Sequence, residues 1–182
     1  MGLCLADATD RILRRYSREA FLSVTARKAS PAVEAVVEAC ILLSGLSFES
    51  GGLAAAHSVS NGLTLIEDQM KPRQYHGELV FFGTCVQLVL EDRPRSSVNE
   101  AFSFGHQIGL PVNLSDLGLS NISSEDLWRV SEKTVAEGET IHKMPFKVTA
   151  EAVYNAIRAA DAIGRAFART ATARATILPP ES

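Results

Sequence analysis

Four histidines supply the chain's most versatile donors, because neutral imidazole is the commonest nitrogen ligand for zinc near neutral pH. His57 follows a run of small residues, Gly51-Gly-Leu-Ala-Ala-Ala-His57, where backbone can approach a bound ion or ligand closely. His76 stands between Tyr75 and Gly77, just ahead of a strongly apolar stretch. The two are 19 positions apart, which matches no local zinc pattern. Two readings therefore stay open: a pair of ligands facing one cleft, or helix-end histidines bonded within the fold. A mononuclear catalytic zinc takes three protein ligands and keeps an open position, so a third ligand would have to come from elsewhere. His106 lies at a helix C-terminus, where the dipole favours a cation without any further role. His142 sits beside Glu137 and Glu139 and reads as a surface ion-pair partner. Gly51-Gly52 could suggest phosphate binding, but neither a GxGxxG nor a GxxxxGK[ST] pattern occurs, and no G-x-S-x-G elbow supports nucleophilic catalysis.

The elements that must hold these residues read as helices. Leu13, Tyr16, Ala20 and Val24 recur at helical spacing in a first amphipathic helix from about Ala6 to Lys28. Ser30-Pro31 resembles a cap followed by proline, opening a second helix that is expected to end near Ser44-Gly45. Ser50-Gly51-Gly52 is expected to open a third helix, which carries His57 and stops at Asn61-Gly62. Leu79 to Leu90 is apolar on nearly every side and belongs at the centre. Ser97 and Glu100 have capping-box spacing for a helix closed by Gly109, Leu110 to Ser120 reads as loop, and Ser123 starts another helix. Thr149 is a plausible cap for the last helix, with Val153, Ile157, Ala160, Ile163 and Phe167 on one stripe. The prediction is an all-α bundle of about seven helices, one domain over residues 1–170, with residues 171–182 as a frayed tail. Tyr75 and Trp128 are expected to pack in the core or at its rim.

Composition narrows the partners. The 182 residues are 46% hydrophobic and 21% charged, with a formal net charge of −3. That balance excludes disorder and offers no basic footprint for nucleic acid or an anionic membrane. No uninterrupted apolar run of membrane-spanning length is found, and Met1 to Asp10 lacks a basic leader, so a cytoplasmic setting is expected. Cys4, Cys40 and Cys85 are odd in number and lack CxxC spacing, which indicates neither disulfides nor a thiolate metal site.

Several longer strings resemble the glycerol dehydrogenase family of the iron-containing alcohol dehydrogenase superfamily. They are Ser44 to Thr64 with its FESGGLAAAH core, Tyr75-His76-Gly-Glu, Phe82-Gly-Thr, Gln87-Leu-Val-Leu-Glu91, Gly109 to Gly118, Ala136 to Pro145, and Val148-Thr to Ala160-Asp161. The resemblance runs from about Ala20 to Phe167. It implies an all-helical, metal-binding half of an NAD-dependent enzyme that oxidises glycerol to dihydroxyacetone. It also implies an N-terminal α/β NAD-binding half, to which no part of this chain corresponds. Zinc in that family is held by one aspartate and two histidines, and His57 and His76 match the two histidines, with His57 also close to the substrate hydroxyl. Phe48, Ser50 and Gly52 are expected to line the cleft through their proximity to His57.

Departures accompany the resemblance. The family's aspartate ligand has no counterpart, and Asp7 and Asp10 fall in a helix of another place in the fold. Ser60 stands where the family has a second histidine in its H-x-x-H-N-G run, and Leu79 where a lysine is common. A dehydroquinate synthase-like reaction is the superfamily's other option, which the FESGGLAAAH string disfavours. The alternative from another class is a catalytically inactive helical module that acts by association, as a homo-oligomer or with an NAD-binding half.

Overall fold

The computed structural model describes the backbone of residues 1–177 and side chains through residue 169. Eight α-helices occur in order among the described residues: α1 (Gly2–Thr25), α2 (Pro31–Glu38), α3 (Ser44–Gly51), α4 (Ala55–Leu63), α5 (His76–Leu90), α6 (Arg95–Gln107), α7 (Ser124–Thr134) and α8 (Ala150–Ile177). A π-helical turn, Ala39–Leu43, joins α2 to α3 without a break, so that seven separate helical rods result. No strand occurs among the described residues, as the periodicity predicts. The last helix continues through Ile177, past the expected start of a tail at residue 171, and residues 178–182 of that tail lie outside the described ones. The backbone groups into two compact units, Met1–Leu53 and one beginning at Ala54, where the sequence suggested one domain.

The first unit is an antiparallel helical hairpin. Ser47 Oγ donates to Gly2 O at 3.0 Å at one end, and Ser30 Oγ donates to Ser23 Oγ at 3.0 Å at the other. Gly2 has no room for a side chain, since a Cβ there would lie 2.7 Å from Gly51 N. Ser30 caps α2 by accepting from Val33 N–H, with Pro31 at the first helical position as expected. The second rod does not stop at Ser44-Gly45. It runs to Gly51 and ends at Gly52, whose φ of 75° is the left-handed conformation glycine adopts at low cost. The Pro31–Gly51 rod has a mean hydropathy of 1.6 over 18 residues and is long and apolar enough, by length and composition, to cross a membrane. Its sequence holds no unbroken apolar run of that length, because Glu34, Glu38 and Ser44 interrupt the apolar residues without cancelling them. Ile41, Leu42 and Leu46 stay exposed.

The second unit holds the core, built on Phe82, Phe102, Leu63, Ile66, Leu117, Ile141 and Ile157, all fully buried. Glycines set its closest helix crossings. A Cβ on Gly62 would lie 2.6 Å from Val130 O and would also strike Thr134 Oγ1, so α4 meets α7 backbone to backbone. This glycine was expected to end the helix, yet α4 continues to Leu63. Its job is close packing. The capping box expected at Ser97 and Glu100 also does not start its helix: α6 begins at Arg95 behind Pro94, and Ser97 falls inside the first turn. Ser123 and Thr149 do act as caps, accepting from Asp126 N–H at 3.0 Å and Ala152 N–H at 3.2 Å. The irregular 110–120 segment is stitched by its own side chains. Asp116 Oδ2 accepts from Val112 N–H at 3.0 Å and from Asn113 Nδ2 at 2.8 Å.

Candidate metal centre

His57 is the third residue of α4, and His76 is the first residue of α5. The chain between them forms a 3-10 turn, Thr64–Gln69, and a short irregular stretch, then re-enters helix at His76. Glu78 stabilises that entry, its carboxylate accepting from the Tyr75 backbone N–H at 2.5 Å. The outcome is that the two imidazoles face each other, with ring centroids 5.8 Å apart and planes inclined by 55°. Residues 19 apart in sequence thus become neighbours, and imidazole nitrogen is a donor type that zinc takes.

The electrostatics favour a neutral His57. Burial lowers the pKa of His57, and the adjacent His76 lowers it further, because two imidazolium ions this close repel. A metal ligand must be deprotonated, so a histidine held neutral is prepared for that role. The pair fits two positions of a divalent-metal site. No group of three or more His, Cys, Asp or Glu residues that could hold an ion occurs among the described residues, so a third protein ligand is not found in them.

The helix bearing His57 is fixed from two sides. Gln87 of α5 accepts through Oε1 from Ala56 N–H at 2.9 Å. From the Glu139–Ile141 segment, Thr140 Oγ1 donates to Ala54 O at 2.8 Å. Thr140 Oγ1 also lies 3.0 Å from Ser58 Oγ, which accepts from Ile141 N–H at 2.8 Å. Asn61 Nδ2 donates to Glu139 Oε2 at 3.0 Å one turn later. These holding residues carried no role in the sequence reading. Gln87 was visible only as part of a longer motif and as a polar residue in a largely apolar helix.

The other sequence candidates are placed as follows. Phe48 and Ser50 lie exposed on α3, and Gly52 closes that helix, all within the hairpin unit. His106 is exposed in the last turn of α6. His142 is exposed, and its Nε2 lies 3.1 Å from Ala136 O, while Glu139 pairs instead with Lys133 at 3.2 Å. Ser60 is fully buried, and its hydroxyl meets no partner. Leu79 is buried in the core. Trp128 packs beside Tyr154 with centroids 5.9 Å apart, and Tyr75 is exposed rather than packed.

Known proteins resemble this chain over most of its length. The glycerol dehydrogenase of Thermotoga maritima is 47% identical over 161 residues, a match covering 88% of this chain and 44% of that protein. The crystal structure of glycerol dehydrogenase from Schizosaccharomyces pombe superposes with a TM-score of 0.89 at 40% identity, over 94% of this chain and 44% of that one. The chain is homologous to part of glycerol dehydrogenase. It spans less than half the length of the glycerol dehydrogenases it matches, including that of Escherichia coli O6:H1, which is 43% identical over 91% of this chain and 45% of its own length. No family model matches the chain. The all-helical architecture is the one shared with these glycerol dehydrogenases.

Proposed function

We propose that this chain is the metal-binding portion of an NAD-dependent dehydrogenase acting on glycerol or a similar small polyol, with His57 and His76 as two of the metal's ligands. The observation that carries the reading is the facing pair of imidazoles, 5.8 Å apart and assembled from two helices. When bound, zinc supplies Lewis acidity to a substrate hydroxyl, and NAD supplies the hydride acceptor. The chain's own part is to hold and orient. His57, kept neutral by burial and by its neighbour, presents a nitrogen lone pair and is also close to the substrate hydroxyl in this reading. His76 completes the pair from the start of α5. The third ligand and most of the NAD contacts come from residues beyond those described, as the relatives' greater length allows. A cytoplasmic setting goes with unpaired cysteines.

Isothermal titration of the metal-free chain with zinc tests the assignment. His57→Ala and His76→Ala should each abolish stoichiometric binding while far-UV circular dichroism stays nearly unchanged. Stoichiometric zinc retained by His57→Ala overturns it.

A second role, association, is favoured by one feature, the apolar and largely exposed Pro31–Gly51 rod. In this reading the hairpin packs against another copy or against an NAD-binding half. Light scattering at micromolar concentration should then give a mass above 19.6 kDa, whereas a monomer counts against self-association.

A further inference from the structure

We propose that Gln87 is a positioning residue for the histidine pair, acting as a helix cap delivered from the neighbouring helix; the proposal rests on the metal reading above. The first N–H groups of any α-helix lack partners within it and call for an acceptor. At α4 the residue in the capping position is Ala54, which has no side-chain acceptor. Gln87 provides one from α5, taking the Ala56 N–H at 2.9 Å. Its amide is not free to turn, because Nε2 donates to Glu91 Oε1 at 2.7 Å, one turn further along the same helix. With the nitrogen held on a carboxylate, the oxygen faces Ala56.

Gly83 lies four residues before Gln87, on the same face of α5. A Cβ there would collide with Ala56 O, so the glycine lets the two helices close until the glutamine can reach. Both contacts meet Ala56, the residue that immediately precedes His57, one on each of its flanking peptides. The helix that makes them is the one that begins with His76. One helix therefore carries one imidazole and fixes the backbone of the other, so that a shift at Ala56 changes the spacing between the two rings. This makes Gln87 a link between the two helices through which the pair's separation is held. It touches neither ring and acts only through Ala56.

The test compares three chains by two measurements. In the metal-free chain, a ring-to-ring proton NOE between His57 and His76 reports their closeness; cobalt(II) titration reports affinity. Gln87→Met keeps the volume but removes the acceptor, and should lose the NOE and bind cobalt(II) about tenfold more weakly, the lower end of what outer partners of metal ligands contribute. Gln87→Glu, made together with Glu91→Gln so that a hydrogen bond rather than two opposed carboxylates joins positions 87 and 91, keeps an acceptor and should preserve both. Ser131→Ala removes a buried hydroxyl on α7 that bonds only to Leu127 O, and should lower stability without changing either readout. If Gln87→Met does not fold, Glu91→Ala, which releases the amide to swing away from Ala56, should weaken the NOE in its place. An unchanged NOE and affinity in the Met variant, or an equal loss in the Glu variant, overturns the proposal. A wild-type chain that shows the NOE but binds no cobalt(II) sinks the metal reading alone.

Discussion

Asp161 on α8 accepts the backbone N–H of Leu114 through Oδ1 at 2.9 Å, joining residues 47 positions apart. The same carboxylate pairs with Arg165 at 2.9 Å. The 110–120 segment has no regular structure to satisfy its amides, so α8 supplies an acceptor from its flank. Gly164, one turn on, lets the Val112 carbonyl lie against the helix, where any Cβ would strike it.

Asp161→Ala leaves the Leu114 amide without its partner and should cost about 2 kcal/mol of stability. Asp161→Asn retains an oxygen acceptor and should lose less. Urea denaturation of the three chains measures the difference, and an Ala variant within error of wild type would refute the role.

Two glycines inside helices should respond with opposite signs. Gly62→Ala forces a methyl against Val130 O and Thr134 Oγ1 and is expected to destabilise by about 2–3 kcal/mol. Gly45→Ala meets nothing within 4 Å and should stabilise by about 0.5–1 kcal/mol through helix propensity. Melting temperatures moving the same way in both would contradict the packing described.

How far the sequence revealed this fold depends on how local each cause is. The Ser123 and Thr149 caps act within one turn and were legible, as was the all-helical period. Gly62 was misread because asparagine-glycine stops a helix locally, whereas here the glycine answers to α7, some seventy residues away. The histidine pair could be suspected only as two donors: spacing gives no sign that α4 and α5 bring them together. Gln87 was visible as part of a motif, but its partner at Ala56 is set by tertiary packing alone. The long second rod was cut short at Ser44-Gly45 because a serine-glycine pair resembles an ending when no surroundings are known.

The three cysteines should separate by reactivity. Burial pushes the Cys85 thiol up to about 12, so almost no thiolate forms at pH 8, while Cys4 and Cys40 are exposed. A disulfide reagent should titrate Cys4 and Cys40 quickly in the native chain and Cys85 only after denaturation. Prompt modification of Cys85 in the folded chain would show that α5 is not seated as described.

Glu139 should make stability fall in acid. Burial would raise its pKa, but hydrogen bonds from Asn61 and Lys133, with the Lys133 charge, outweigh that and hold the carboxyl below 4.5. The unfolded chain then binds the proton more readily than the folded one, so the contribution is present above pH 4.5 and is lost as pH falls below it. Glu139→Gln should flatten the decline in unfolding free energy across that range. An equally steep decline in the variant would assign the acid sensitivity to other groups.

The π-helical turn at Ala39–Leu43 inserts one residue beyond what an α-helix of the same rise would hold. Each residue in an α-helix advances the face by about 100°, so a deletion in the regular part of α2 or α3 would rotate everything beyond it by nearly a third of a revolution. Gly51 would then turn away from Gly2, and Phe48 and Ser50 would point in a new direction. A chain shortened by one residue within Ala39–Leu43 would instead restore an unbroken α-helix with α3 close to its present phase, because the wide turn already absorbs the extra residue. The π turn is therefore the place along this rod where the hairpin best tolerates the loss of a residue.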